Sequence, residues 1–225
     1  VRSEFEYALN NIDTLRVSEE SHPSSISILG ERIFTYYCWG KFPLHGDDSL
    51  LEKYYQASDT KAWANLFGHV GRRLKNSGQP IDSDIHKKFL DFFESRLKVE
   101  CQEELQEFTS WLEAECLPAK WRLEQYSRIL DKVEMRETKV WAQSTKLGEL
   151  LGIESDLVVK CFVKLVKQAS KENNYITTEA AQAILGYGMD SEDLQTQNVS
   201  RKALNELLRL GRFDLKGIGK SGDSD

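Results

Sequence analysis

The feature that most constrains the fold of this 225-residue chain is its almost unbroken succession of amphipathic helical segments. Apolar residues return at steps of three and four along nearly every stretch, the spacing that places them on one face of an α-helix. The four prolines, at positions 23, 43, 80 and 118, all fall between these stretches, where proline is tolerated. No segment alternates polar and apolar residues between hairpin turns, so the sequence predicts an all-α protein without strands.

The spacing of the helices also predicts how they pack. Linkers are short, which favours antiparallel neighbours. Helix pairs return about every 35–45 residues, the period of helical-repeat solenoids. We therefore expect stacked antiparallel helix pairs that form either a short HEAT-like superhelix or an irregular helical bundle. The predicted domain covers residues 1–215, with a subdivision near residue 118 as an alternative. The Gly/Ser/Asp-rich stretch 216–225 is predicted to be a disordered tail.

Charge and composition limit the classes of function. The net charge is −6, which argues against nonspecific nucleic-acid binding over the whole surface. The charge is uneven, because residues 1–117 carry −7 and residues 118–225 carry +1. No apolar run approaches the roughly 20 residues that span a bilayer, so we expect no membrane contact. The lack of a secretory signal predicts a reducing cytoplasm, and the first residue, Val1, predicts a piece of a longer protein.

Two groups of basic residues are the candidate contacts for a partner. Arg72 and Arg73 follow Gly68-His69-Val70-Gly71, and arginine suits carboxylates and phosphates. The second group, the lysine stripe, returns at steps of four, three and four along one helix face, at Lys160, Lys164, Lys167 and Lys171. Its partner would be an acidic protein surface or a phosphate backbone. The alternative for both groups is an ordinary solvated or packing face, and the two glycines before Arg72 are expected to allow close helix packing.

No motif in the sequence indicates catalysis or a cofactor. The ending Gly217-Ile218-Gly219-Lys220-Ser221 resembles the end of a phosphate-binding loop, but Asp214 stands where that loop needs glycine. The four cysteines lie far apart, so buried reduced thiols are expected in place of a metal site. The five tryptophans fall on apolar stripes and are predicted to be core. The acids of residues 100–107 are predicted to lie on a solvated helix surface.

Several packing motifs occur together in one order along the chain. They are Leu29-Gly30-Glu31-Arg32 with Tyr36-Tyr37 and Gly40, Pro43-Leu44 with Leu50-Leu51-Glu52 and Tyr54-Tyr55, Val70-Gly71-Arg72, Phe108 with Trp111, Trp121, and Ala203 through Leu207 to Gly211, Phe213 and Leu215. Over residues 25–215 this order resembles the α-helical, HEAT-like C-terminal region of very large bacterial ATP-binding proteins. These are signal-transduction NTPases of the STAND/NACHT kind and related phage-defence sensors. The resemblance implies an NTPase or effector domain upstream, and a helical array that senses a partner or holds the autoinhibited state. It transfers no catalytic residue to this chain.

Together these observations predict a non-enzymatic helical scaffold that acts as an interaction or sensor module of a larger cytoplasmic bacterial protein. The expected partner is another protein or the upstream domains of the same polypeptide, with no cofactor and no metal. Nucleic-acid binding through the lysine stripe is the first alternative, and it predicts an affinity that falls steeply with salt. The second alternative is a helical enzyme whose acids converge from distant helices on His69 or His86.

Overall fold

The computed structural model describes residues 1–17, 25–76, 83–168 and 175–218. Within these ranges every regular element is a helix and no strand occurs, so the predicted all-α fold is confirmed. The chain divides into two compact units, Val1–Cys116 and Leu117–Asp225. Lys171 of the lysine stripe lies outside the described residues. So do positions 219–225 of the predicted tail, which include the end of the motif that resembles a phosphate-binding loop. Positions 216–218 form turns.

The first unit is built around its fifth helix. Its helices are α1 (Arg2–Asn10), α2 (Ile12–Val17), α3 (Ser25–Cys38), α4 (Leu50–Ala57), α5 (Thr60–Asn76), α6 (Ser83–Val99), α7 (Gln102–Leu105) and α8 (Thr109–Leu112), with a 3-10 helix at Gln106–Phe108. Helix α5 packs against α3, α7 and α8, while α4 packs against α1 and α3. A turn at Asn11 separates α1 from α2, and its side-chain amide donates to the carbonyl oxygen of Tyr7 at 2.8 Å. Such side-chain contacts compete with helical continuation.

Local sequence explains where α4 and α5 begin. The hydroxyl oxygen of Ser49 accepts a hydrogen bond from the backbone N–H of Glu52 at 3.1 Å. The carboxylate of Asp59 accepts one from the backbone N–H of Ala62 at 2.9 Å. Each side chain satisfies a donor that the first helical turn leaves without a partner. The Ser49 cap fixes the start of α4, and the Asp59 cap lies in the short connection between α4 and α5, where it fixes the start of the central helix.

An aromatic core fills the first unit. Phe67, Phe93 and Trp111 are fully buried, with the Trp111 ring 5.2 Å from that of Phe67 and 5.3 Å from that of Phe93. The Trp111 indole N–H donates to the carbonyl oxygen of Phe67 at 3.0 Å. A Cβ on Gly71 would lie 2.6 Å from Trp111 Cδ1, and one on Gly68 would lie 3.3 Å from Glu107 Cβ. The close packing predicted for these two glycines is therefore confirmed.

Some residues lie elsewhere than the sequence predicts. The prediction of a core position is wrong for Trp39, which is 61% exposed, and for Trp141, which is 58% exposed. Trp39 follows α3, which is apolar over more of its circumference than the unit covers, whereas the segment 137–150 around Trp141 is largely polar. The prediction of a solvated surface is wrong for Glu104, which is fully buried because Arg96 reaches it from α6.

The second unit is built around its third helix. Its helices are α9 (Ala119–Leu130), α10 (Glu137–Leu150), α11 (Ser155–Gln168), α12 (Thr178–Asp190) and α13 (Leu194–Arg209), followed by a 3-10 helix at Phe213–Leu215. Helix α11 packs against all four others and buries Cys161, Phe162 and Leu165. Gly211, with φ +92°, ends α13 in the left-handed region that glycine adopts without strain.

The four cysteines are free thiols in two environments. Cys38 and Cys161 are buried, and burial raises the pKa of Cys38 to about 11 and that of Cys161 to about 12. Cys101 and Cys116 are only partly buried. The prediction of buried reduced thiols is thus confirmed for two of the four.

Candidate functional site

A groove of about 670 Å³ runs between α1 and α3 in the first unit. We call it the α1/α3 groove. Its lining residues are Val1, Glu4, Phe5, Ala8, Ser25, Ile28, Leu29, Arg32, Thr35, Tyr36 and Trp39. The floor is mostly apolar, and charged side chains stand on both sides. The groove is open to solvent, which distinguishes it from a closed cavity.

One face of α3 supplies the exposed part of this groove. Ile28, Arg32 and Tyr36 follow each other at steps of four, and Trp39 comes three residues later, just beyond the helix end. This spacing places the four side chains on one side of the helix. The opposite side carries Phe34, which is fully buried against the core. Because the unit covers only that side, Ile28 stays 44% exposed and Trp39 61% exposed.

An aromatic cluster positions Trp39 at the edge of the groove. The Tyr36 ring lies 5.3 Å from the Trp39 ring and 5.3 Å from the Phe5 ring, both edge to face. Phe42 closes the cluster from behind, 6.1 Å from Tyr36 and 6.2 Å from Phe5. Edge-to-face contacts at these distances are favourable beyond the area that they bury. The indole is therefore held in place although most of its surface meets solvent.

The α3 side of the groove is basic. Arg32 lines the groove and is exposed. Arg73 reaches over from α5, and its Nη1 donates to the hydroxyl oxygen of Thr35, another lining residue, at 2.8 Å. Arg72, next to it on α5, is also exposed. Of the two arginines predicted from the sequence, the structure thus places Arg73 beside the apolar groove together with Arg32, whereas Arg72 is exposed on α5 near His69 and Glu31.

His69 and Glu31 lie close to Arg72 and Arg73. His69 Nδ1 lies 2.9 Å from Glu31 Oε1, and both side chains are partly buried. Burial and the two arginines, Arg72 and Arg73, lower the pKa of His69 to about 4. Burial also raises the pKa of Glu31, while the same arginines oppose that shift. His69 is therefore uncharged at neutral pH, and the Glu31 carboxylate lies near both arginines.

The lysine stripe lies on α11 in the second unit, and its described members differ in environment. Lys160 and Lys167 are exposed. Lys164 instead lies over the end of α9, where Nζ donates to the carbonyl oxygen of Ser127 at 3.0 Å and to its hydroxyl oxygen at 2.8 Å. Nζ also lies 2.5 Å from Asp131 Oδ2. Lys164 therefore joins α11 to α9, which leaves two exposed lysines on the described part of the stripe.

The sequence analysis does not single out Ile28, Arg32 and Trp39, which line the groove. The segment is apolar on most of its circumference, a pattern that is typical of a helix buried on most sides. One signal was present, since Arg32 lies in line with Ile28 and Tyr36 at helical spacing. A charged residue inside an otherwise apolar stripe indicates that this stripe meets solvent.

In the described part of the chain, no three His, Cys, Asp or Glu side chains lie close enough together to hold a metal ion. None of the helices described there combines the length and the apolar composition that crossing a bilayer requires. The chain has no significant match to a family model, to a curated protein or to a solved structure. The resemblance to HEAT-like regions of bacterial NTPases therefore stays a prediction, and function has to be inferred from the chemistry of the groove.

Proposed function

We propose that this chain is a non-catalytic interaction module that binds an amphipathic helix of a partner protein in the α1/α3 groove. The observation that carries the proposal is Trp39, which is 61% exposed beside Tyr36 and Arg32 on one helix face. Trp, Tyr and Arg are the residues that most often dominate the binding energy of protein interfaces. Their clustering on an exposed apolar surface is typical of a site that a partner covers.

The shape of the groove favours a helix as the occupant. The α3 side offers contacts at steps of four and three, from Ile28 through Arg32 and Tyr36 to Trp39. A partner helix that lies along α3 presents its own apolar side chains every three or four residues. Each of them can therefore contact one of these positions on α3. The small side chain of Ala8 on the α1 side leaves room for larger side chains of the partner.

The charges of the groove indicate how the partner helix lies. Arg32 and Arg73 make the α3 side positive, whereas Glu4 stands on the α1 side. The partner helix should therefore carry carboxylates on the flank that faces α3. Charges at the rim of an interface mainly set orientation and association rate. The apolar stripe would supply most of the affinity.

Nucleic-acid binding through the lysine stripe has less support than a protein partner. Lys164 is engaged with Ser127 and Asp131 inside the second unit. Binding to a phosphate backbone depends on the number of cations that reach phosphates. Among the members of the stripe that the structure describes, only Lys160 and Lys167 are exposed, and two lysines form a weak cationic face. Membership in a larger cytoplasmic bacterial protein is proposed on the sequence resemblance alone.

A display selection tests the proposed function. A library of 18-residue amphipathic helices with randomised flank charges is selected against the whole chain. We expect enriched sequences to combine an apolar stripe with acids on one flank. Trp39→Ala should weaken their binding by at least about 30-fold, the scale of an interface hot spot. Trp141→Ala is the matched control, because Trp141 is exposed to a similar extent.

Arg32→Glu separates charge complementarity from apolar contact. It should weaken acid-flanked binders and spare, or improve, variants of the same peptides in which lysine replaces the acids. The proposed site would be contradicted by binders whose affinity is unchanged by Trp39→Ala. It would also be contradicted if Trp141→Ala lowered their affinity to the same degree. Binders that depend on Trp39 without any preference for acidic flanks would contradict the proposed orientation only.

A further inference from the structure

A second cavity of the first unit lies between α4, α5 and α6 and has a volume of about 550 Å³. We call it the Arg96 cavity. Its apolar lining comes from Leu44, Leu51, Tyr55, Trp63, Phe92 and Val99. The volume and the apolar walls are those of small-molecule sites. In such sites a few fixed polar groups decide which molecule binds, and the main polar group here is the Arg96 guanidinium.

Arg96 is held from two directions. Its Nε and Nη2 each lie 2.8 Å from an oxygen of Glu104, a bidentate pair. Its guanidinium carbon lies 3.5 Å from the centre of the Tyr55 ring, and the Tyr55 hydroxyl donates to Glu104 at 3.2 Å. The Trp63 ring is 5.4 Å away on the cavity side. The guanidinium is therefore fixed before any ligand arrives, which lowers the entropy cost of binding.

The hydrogen-bonding groups of Arg96 are only partly used. A guanidinium has five N–H donors, and Glu104 takes one from Nε and one from Nη2. Nη1 has no hydrogen-bond partner among the described residues. The edge formed by Nη1 and the second hydrogen of Nη2 is thus unused. Arg96 lines the cavity and keeps 10% of its side-chain surface exposed, so this edge is what the protein offers to a ligand.

The charge balance of the cavity disfavours an anionic ligand. Glu104 already neutralises Arg96. A second carboxylate, Glu52, stands at the rim, 2.8 Å from His45. An anion would therefore enter a partly buried site that is lined by Glu52 and by a cation that Glu104 already compensates, and desolvating the anion there is costly. A neutral molecule with hydrogen-bond acceptors meets the unused donors without that cost.

We propose that the Arg96 cavity binds a neutral, planar heterocycle that presents two neighbouring hydrogen-bond acceptors to Arg96. The 6-oxopurines have this arrangement in O6 and N7, which match the two parallel N–H groups of an arginine edge. The apolar walls, with Trp63 and Phe92, cover the ring. This site is separate from the α1/α3 groove, and it needs no partner protein.

Fluorine NMR of the whole chain labelled with 5-fluorotryptophan tests the proposal. The Trp63 resonance is assigned with Trp63→Phe, and inosine, adenosine and benzoate are titrated in turn. Inosine should shift the Trp63 resonance saturably. Adenosine should bind at least about tenfold more weakly, because its 6-amino group donates where O6 accepts. Benzoate, an anion of similar ring size, should bind more weakly than inosine.

Variants at the mouth of the cavity supply the control. Val99 is 51% exposed and lines the cavity, whereas its neighbour Lys98 is exposed and does not line it. Val99→Trp should abolish the inosine shift, and Lys98→Trp should leave it unchanged. Arg96→Lys keeps the charge and removes the fork, so a folded Arg96→Lys chain should lose the preference for inosine over adenosine.

Four results would overturn the assignment. They are no saturable shift with inosine, equal binding of inosine and adenosine, tighter binding of benzoate, and an inosine shift that survives Val99→Trp. If Arg96→Lys fails to fold, the comparison of Val99→Trp with Lys98→Trp still decides whether the cavity is the site.

Discussion

The rings of Tyr36 and Trp39 meet edge to face, with centroids 5.3 Å apart and planes inclined by 61°. Tyr36 makes a second edge-to-face contact with Phe5 of α1, so the exposed indole is anchored to both sides of the α1/α3 groove. A side chain that is held in this way loses little rotational freedom when a partner covers it. The groove is therefore prepared for binding, although its largest residue faces solvent.

Close packing of α5 on α8 predicts opposite effects at two helical glycines. Gly71→Ala should destabilise the chain by about 1–3 kcal/mol, because the new Cβ would lie 2.6 Å from Trp111 and 2.9 Å from Ser110. Gly186→Ala in α12 meets open space and should be neutral or stabilising by about 0.5–1 kcal/mol. Urea denaturation of both variants checks this, and equal effects would contradict the packing.

The position of Lys164 predicts a difference in stability within the lysine stripe. Lys164→Met should cost about 1–2 kcal/mol, because it removes the hydrogen bonds to Ser127 and the ion pair with Asp131. The free energy of unfolding of Lys160→Met should stay within about 0.5 kcal/mol of that of the parent chain, since Lys160 is exposed. Denaturant midpoints at pH 7 give both values. A Lys164 variant as stable as the Lys160 variant would mean that Lys164 is solvated.

The end of the second unit predicts a dependence of stability on pH. Hydrogen bonds from Arg212 and Thr178 lower the pKa of Asp214 to about 2, below its ordinary value of 3.8. The ionised carboxylate therefore stabilises the fold above pH 3.8, and this contribution is lost as pH falls through about 2. Asp214→Asn should lower the unfolding temperature at pH 6, and its difference from the parent chain should shrink between pH 4 and pH 2.

A control on another surface acid completes this comparison. Glu192 is exposed, and Glu192→Gln should leave the unfolding temperature at pH 6 unchanged. A constant difference between the Asp214→Asn and parent chains over the whole acid range would show that Asp214 makes no stabilising contact in its ionised form.

The helical architecture could be predicted because the longer helices repeat their apolar residues at helical spacing, and prolines, glycines and polar caps lie between many of them. Trp111 illustrates the success, since a tryptophan on such a stripe is usually buried. Trp39 shows the limit, because periodicity indicates which residues share a face but not whether the protein covers that face. Coverage depends on which helices become neighbours, and that is a property of the assembled unit.

The Arg96 cavity could not be predicted from sequence for a related reason. Arg96 and Glu104 lie on different helices, and their spacing of eight residues crosses the turn at Glu100, whose φ is +56°. Nothing in the local pattern separates Glu104 from the solvated acids around it. The cavity then needs Tyr55 and Trp63 from two further helices, a convergence that only the folded chain reveals.

The most direct test of the central claim is fluorine NMR of the chain labelled with 5-fluorotryptophan. The Trp39 resonance is assigned with Trp39→Phe, and it is then followed while a selected acid-flanked helix is added. The account predicts that the Trp39 resonance shifts saturably, with the same dissociation constant as the binding assay, while those of Trp141 and of the buried Trp111 stay in place. A bound helix that leaves the Trp39 resonance unchanged and shifts that of Trp141 would contradict the proposal that the α1/α3 groove is the interaction site.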